Sequence, residues 1–272
     1  MSRMKPEDKK ILDHASRLKL KGNKSKAEIW SELEQKIEPR KRKLNPIVYY
    51  AAAAITILIG LAIVYPYSTD HSTQFSEAKK ISFRDGSFVE LSAGSELIQK
   101  RGWWTKKKSF LLEGEAFFNI TKGSDVEVIG EQGKVSVLGT EFNVLSRDKN
   151  MIVECYEGKV EVDDHSNSII LNPQEAVYIK PQHSTLEKYT HQNTTSTWRE
   201  GYSMFRETSL DFVLDEVERR FNIEIERPSE LESRIYTGVF YHKDLEEALK
   251  TICLPMGLEY SIDHQNKKVS IN

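Results

Sequence analysis

Gln132-Gly133-Lys134-Val135-Ser136-Val137 and, further on, Glu157-Gly158-Lys159-Val160-Glu161-Val162 each set a glycine turn directly before a run in which apolar and polar side chains alternate. A period of two puts Val135 and Val137 on one side of an extended chain, and Val160 and Val162 likewise, so a short strand with one buried face is predicted at each place. The same pairing of turn and run recurs outward in both directions. Turn signals fall at Asp85-Gly86, Ala93-Gly94, Glu113-Gly114, Lys122-Gly123 and Asp163-Asp164-His165-Ser166-Asn167. Between them lie Ser87-Phe88-Val89-Glu90-Leu91, Val126-Glu127-Val128, Phe142-Asn143-Val144 and Val177-Tyr178-Ile179. Dense turns separating short alternating runs predict an all-β sandwich, roll or barrel over residues 79–188. The polar stretch from His183 to Ser196 fits a linker, assigned to residues 189–200.

Beyond the linker the period changes, and a repeat appears at an offset of 35 residues. Phe205, Leu210, Val213, Leu214, Val217, Ile223 and Ile225 align with Phe240, Leu245, Ala248, Leu249, Ile252, Leu258 and Tyr260. Each copy reads as strand, amphipathic helix, strand, with Ser209 and Asp244 at the N-cap positions and Asn222 and Gly257 just past the helix ends. A hairpin about His264-Gln265-Asn266 closes a small α+β domain, a duplicated β-α-β unit over residues 201–272.

On the other side, Ile47 to Tyr65 carries no charged side chain and as a helix would rise roughly 28 Å, close to the ~30 Å of a bilayer core. Tyrosines and prolines flank it, so one transmembrane helix is expected at residues 47–66, followed by a linker at 67–78. Arg40, Lys41, Arg42 and Lys43 precede it and no basic residue follows until Lys79, which orients the N-terminus to the cytoplasm. Residues 1–46 carry a net charge of +7 and the rest −9, inside a near-neutral total of −2. The fold class expected is therefore a multidomain, membrane-embedded protein: short α-helical cytoplasmic head, one transmembrane helix, all-β periplasmic domain and small α+β C-terminal domain. In the head, Ser25-x-x-Glu28 reads as a capping box opening a helix with Ile29, Trp30, Leu33 and Ile37 on one stripe, preceded by a stripe that includes Leu12. Such stripes bury little alone, and a docked cytoplasmic protein, the membrane surface or packing of the two helices on each other would cover them.

The balance of 39 basic and 41 acidic residues excludes a basic nucleic-acid coat, and the head is too short for a DNA-binding domain, so no direct nucleic-acid partner is expected. No phosphate loop or hydrolase signature is present, and the seven histidines lack ligand spacing, so neither a cofactor, nor a metal, nor an enzymatic activity is expected. Glu115 and Glu157 invite a reading as paired hydrolase carboxylates, against which stands the simpler role of turn or surface groups. Cys155 and Cys253 are expected as buried free thiols. Trp198 and Phe205 are expected to pin the two outer domains together, and Trp103-Trp104 beside Arg101 and Lys106-Lys107-Lys108 to form an exposed patch or to split between core and surface.

In their order and spacing these residues resemble the FecR-type anti-sigma factor family. The resemblance rests on Asp85-Gly86-Ser87, Leu112-x-Gly114-Glu115-Ala116-Phe117-Phe118, Val137-Leu138-Gly139-Thr140-x-Phe142-Asn143-Val144, Glu157-Gly158-x-Val160, Leu171-x-Pro173-x-Glu175, Trp198 and Phe205. It continues through Leu210 to Phe221 and Gly238-x-Phe240. Gln174 departs from the pattern where glycine is usual, Lys108 where arginine is, and Val126 where phenylalanine is. The resemblance implies structural roles for Asp85, Gly86, Gly114, Glu115, Gly139, Thr140, Phe142, Asn143 and Gly158. It also implies an inner-membrane sigma regulator whose head holds an extracytoplasmic-function sigma factor through Leu12, Ile29, Trp30, Leu33 and Ile37. The C-terminal domain, akin to the short N-terminal domain of secretins and TonB-dependent receptors, would receive a periplasmic signalling domain of such a receptor, with Phe205, Phe221 and Phe240 as candidates. Periplasmic and intramembrane proteases would release the head. A membrane-anchored periplasmic structural or glycan-binding protein is the alternative, for which the tryptophan pair and the all-β domain speak.

Overall fold

The computed structural model describes residues 25–36, 45–64, 67–101, 107–164, 166–179, 186 and 188–272. It divides into two compact units, residues 1–61 and 62–272, each of which is described by itself. The first unit holds α1 (Lys26–Lys36) and the start of α2 (Pro46–Val64). The cap predicted for α1 is present and reciprocal: Ser25 N donates to Glu28 Oε2 at 2.7 Å, and Glu28 N donates to Ser25 Oγ at 3.3 Å. Two of the orphan donors that any helix start leaves are thereby satisfied.

The single transmembrane helix expected at residues 47–66 is not borne out. The apolar segment is helical, as α2. Among the described residues no helix is long and apolar enough to cross a membrane. Among the described residues strands predominate and helices are few.

The second unit begins with an all-β domain of thirteen strands: β1 (Tyr67–Ser72), β2 (Lys79–Ser82), β3 (Phe88–Leu91), β4 (Glu96–Arg101), β5 (Lys108–Asn119), β6 (Val126–Ile129), β7 (Lys134–Val137), β8 (Glu141–Arg147), β9 (Asn150–Glu157), β10 (Val160–Asp163), β11 (Ser168–Leu171), β12 (Glu175–Ile179) and β13 (Lys188–Thr190). Two sheets share β5. One runs β1-β4-β5-β6-β7-β10-β11 and the other β2-β3-β5-β8-β9-β12-β13, antiparallel throughout except for β5 with β6. Strand β5 pairs with β4 up to Glu113 and with β8 from Gly114, so the chain changes sheet at Gly114. That glycine has φ +115, and a Cβ there would lie 2.4 Å from Ser95 Oγ, which no other residue could accommodate. The side chains predicted to alternate inward do so. Val135, Val137, Val160, Val162, Val89, Leu91, Ala116, Phe118, Phe142 and Val144 form one core between the sheets, where Phe118 and Phe142 stack at 4.9 Å.

A 3₁₀ turn (Thr197–Glu200) leads into the C-terminal domain: β14 (Tyr202–Ser209), α3 (Leu210–Phe221), β15 (Glu224–Glu226), β16 (Ile235–Tyr241), α4 (Leu245–Met256), β17 (Tyr260–Asp263) and β18 (Lys268–Ile271). The repeat seen at an offset of 35 residues is thus two strand–helix–strand units closed by a hairpin. Their equivalent strands pair, β14 antiparallel to β16, while β15 lies parallel to β18 in a three-stranded sheet. Ser209 and Asp244 cap α3 and α4 through the amides of Phe212 and Glu247, and Asn222 and Gly257 adopt the left-handed conformation after them. Val213, Leu214 and Val217 of α3 meet Leu249 and Ile252 of α4 in a second core. Part of the stretch read as a linker is ordered structure, since β13 pairs with β12 and His191 N donates to Gln174 O at 3.0 Å.

Candidate functional site

Alternation places Ala116 and Phe118 of β5, and Phe142 and Val144 of β8, in the β-domain core. The residues between them, Glu115, Phe117 and Asn143, and Arg147 at the end of β8, therefore face the opposite way. On a free sheet surface they would be wet, yet all four are buried. What covers that face is the 3₁₀ turn carrying Trp198 and the polar side of α3. On α3 the apolar residues turn into their own core, while Glu216, Arg219 and Arg220, spaced i, i+3 and i+4, project together.

The two surfaces meet in a buried network of charges. Glu216 accepts from Arg220 Nε at 2.6 Å and from Arg219 Nε at 3.0 Å, both on its own helix, and from Arg147 Nη1 of β8 at 3.3 Å. Arg220 Nη2 crosses in the other direction to Glu115 Oε2 at 3.2 Å. Glu115 Oε1 accepts from Asn143 Nδ2 at 3.0 Å, and Asn143 Oδ1 accepts from Trp198 Nε1 at 3.1 Å. Arg147 Nη2 is fixed by the carbonyls of Ala93 and Gly94 and by Ser95 Oγ. At the rim, Arg199 donates to Glu90 at 2.7 Å and lies 3.9 Å over the Phe117 ring.

Burial and charge compete here. Burial acts to raise the Glu216 carboxyl, but Arg220, Arg219 and Arg147 overcome it and hold the group down at about 2. At Glu115 burial prevails over Arg220, and the neighbouring Glu216 charge adds to it, so its carboxyl is pushed above the ordinary range. His242, bonded to Ser203 Oγ at 2.8 Å, is lowered to about 4 by burial and by the positive charge of Arg220. Breaking one member of such a network strands a buried charge, at about 3–5 kcal/mol. A cleft of about 510 Å³ opens beside it, between Glu90, Trp198, Arg199, Arg220 and His242.

The remaining predicted residues fall as follows. Asp85 staples the β2–β3 turn: its carboxylate accepts from Lys108, from Ser124 Oγ at 2.9 Å and from Ser87 Oγ at 3.1 Å. Partial burial works to raise it, but these donors, Lys108 first, hold its carboxyl far below the usual carboxylate range. Gly86 turns with φ +86 in the same loop. Gly139 and Gly158 have positive φ, and a Cβ on Gly139 would meet Lys122 Cα at 2.3 Å; Thr140 Oγ1 donates to Lys159 O at 3.1 Å. Glu115 and Glu157 have separate partners, since Glu157 pairs with Lys122 at 3.4 Å, and they do not form a carboxylate pair. Cys155 and Cys253 are buried free thiols, each pushed up to about 11 chiefly by burial.

Trp198 joins the domains, whereas Phe205 does not: it stacks on Phe240 at 5.8 Å inside the C-terminal core. With Phe240 at 0% and Phe205 at 8% exposure, neither offers a ring to a partner, and Phe221 is half-buried against the same core. In the head, Trp30 and Leu33 are 59% and 42% exposed. Leu12 and Ile37, the side chain of Ile29, and Trp103-Trp104 lie outside the described residues. Among the described residues no cluster of three metal-ligating side chains forms. No motif in the sequence marks Arg147 or Glu216 individually. The signal was an arginine completing a strand's alternation, and a glutamate with arginines three and four residues on.

An all-β domain latched by charge to a duplicated β-α-β domain is the architecture defined so far. The family model for the FecR protein matches residues 69–161, and that for the FecR C-terminal region matches residues 202–271. The chain belongs to the FecR-type anti-sigma factor family. No functionally curated protein matches it. Two crystal structures of a provisionally assigned anti-sigma factor from Parabacteroides distasonis ATCC 8503 are similar, both 28% identical and covering 75% of this chain and 98% of theirs, with TM-scores of 0.69 and 0.67.

Proposed function

We propose that the chain is an anti-sigma factor whose head captures an extracytoplasmic-function sigma factor and whose C-terminal domain receives the signalling domain of a TonB-dependent outer-membrane receptor. The observation that carries the reading is α1, a capped helix with Trp30 and Leu33 held out to solvent. Aromatic anchors on a short helix suit a groove on a partner, and covering the stripe would stabilise a helix too short to persist alone. Family membership supports the regulatory role. The signal would pass through the latched domains and end in proteolytic release of the head. Because one carboxylate and its arginines hold the C-terminal domain in place, a partner that repacks α3 would loosen the junction.

A sigma-dependent reporter tests the role: the chain should repress it, and deletion of residues 1–46 should abolish repression. Repression by the body alone would overturn the assignment of the head. The location proposed is the inner membrane, head in the cytoplasm and body in the periplasm, supported by Arg40, Lys41, Arg42 and Lys43 before the apolar run and no basic residue after it until Lys79. A membrane-impermeant amine reagent added to spheroplasts should label exposed lysines of the body such as Lys122. An unlabelled body would overturn the location and leave the sigma reading standing.

A further inference from the structure

Residues 73–77 follow β1 and are bound by their backbone in two directions. Thr73 N donates to Ser95 O at 2.9 Å, Thr73 Oγ1 donates to Ser92 O at 2.6 Å, and Gly94 N donates to Gln74 O at 3.2 Å. Ser76 N donates to Arg219 O of α3 at 2.7 Å, from a left-handed conformation with φ 58. The turn at residues 92–95 that receives the first set is itself gripped by Arg147, whose other nitrogen reaches Glu216. Gly94 makes the close approach feasible, because a Cβ there would lie 2.8 Å from the Phe75 ring and 3.5 Å from Arg219 Cδ. Backbone and latch therefore form one contiguous network.

The side chains of residues 74–78 are exposed, so burial does not shield them. What resists a protease is the fixed backbone, since cleavage needs several residues free to extend in the enzyme's cleft. We infer that the docked C-terminal domain is a lock on residues 73–77. Helix α3 holds the segment directly through Ser76 and indirectly through Glu216, Arg147 and the turn at 92–95, and undocking of the domain makes the segment cleavable. The lock deepens the release step of the proposed function and rests on that reading only for its biological use.

The test is limited proteolysis of the full chain by glutamyl endopeptidase, which would cut after Glu77, and by chymotrypsin, which would cut after Phe75. Glu216→Gln and Arg147→Met should each raise the initial rate at these two bonds by about tenfold or more, as expected when local opening limits cleavage, with cuts elsewhere in the β domain unchanged. Wild-type rates in both folded variants would overturn the lock. Hydrogen exchange on the wild-type chain decides the matter without a variant. The Ser76 amide should exchange as slowly as the amides of α3, and exchange at the rate of a free peptide beside a protected α3 would overturn the lock. Neither measurement involves the sigma factor, so failure here is separate from failure of the anti-sigma reading.

Discussion

Helices α1 and α3 are nearly the same length, 11 and 12 residues, and treat their side chains in opposite ways. Helix α3 buries both of its faces, the apolar one in the C-terminal core and the charged one, with Glu216, Arg219 and Arg220, against the β domain. Helix α1 leaves even Trp30 and Leu33 in water. A buried charge network is weak evidence for stability but fixes one orientation, because each misplaced partner leaves a charge without compensation. Exposed apolar side chains such as those two of α1 are open to whatever covers them. One helix thus serves the geometry of the body, and the other leaves Trp30 and Leu33 uncovered.

The contrast is broken most severely at Glu216. Glu216→Ala leaves Arg147, Arg219 and Arg220 facing one another in a buried site, and denaturant unfolding of the body should show a loss of about 3–5 kcal/mol. Lys122→Ala, which breaks the exposed pair with Glu157, should cost under about 1 kcal/mol and serves as the surface control. Gly114→Ala tests the other fixed point of the body. A Cβ 2.4 Å from Ser95 Oγ at φ +115 should cost about 2–4 kcal/mol in the same assay. Trp198→Phe keeps an aromatic ring but leaves Asn143 Oδ1 without its donor, for an expected loss of about 1–3 kcal/mol.

Two smaller effects sharpen the picture. His242 has a folded pKa of about 4, below its ordinary 6.5, so the unfolded chain binds the extra proton first. Its contribution to stability is present above pH 6.5 and is lost as pH falls toward 4, and melting curves across that range should flatten in His242→Gln. Glu216 works in the same sense lower down, between its ordinary value of 4.5 and about 2. Glu115, raised instead, opposes it: its contribution weakens as pH rises above 4.5. Last, Gln174 adopts φ 67 where the family pattern has glycine, and Gln174→Gly should raise stability by about 0.5–1 kcal/mol in thermal denaturation.

The parts of this architecture that sequence discloses are those governed by local periodicity. Val135, Val137, Val160 and Val162 announce their strands because one face of each is buried, and Ser209, Asp244, Asn222 and Gly257 mark helix ends because caps are local chemistry. The latch was hidden for the opposite reason. Arg147 and Glu216 are 69 residues apart, and nothing near either shows that both will be dry. Phe205 and Phe240 misled in the complementary way, since an aromatic at an equivalent position of a repeat is as well suited to a core as to a surface. The apolar run at 47–65 marks a helix correctly, yet among the described residues no helix is long and apolar enough to cross a membrane.

The central claim, that the head is the recognition element, is tested most directly by titrating an extracytoplasmic-function sigma factor against the full chain and against its Trp30→Ala variant, with the melting temperature of the body as control. The account predicts an unchanged melting temperature and a Kd weakened by about 30-fold, the loss of a hot-spot aromatic worth about 2 kcal/mol. Undiminished affinity in the variant would contradict it.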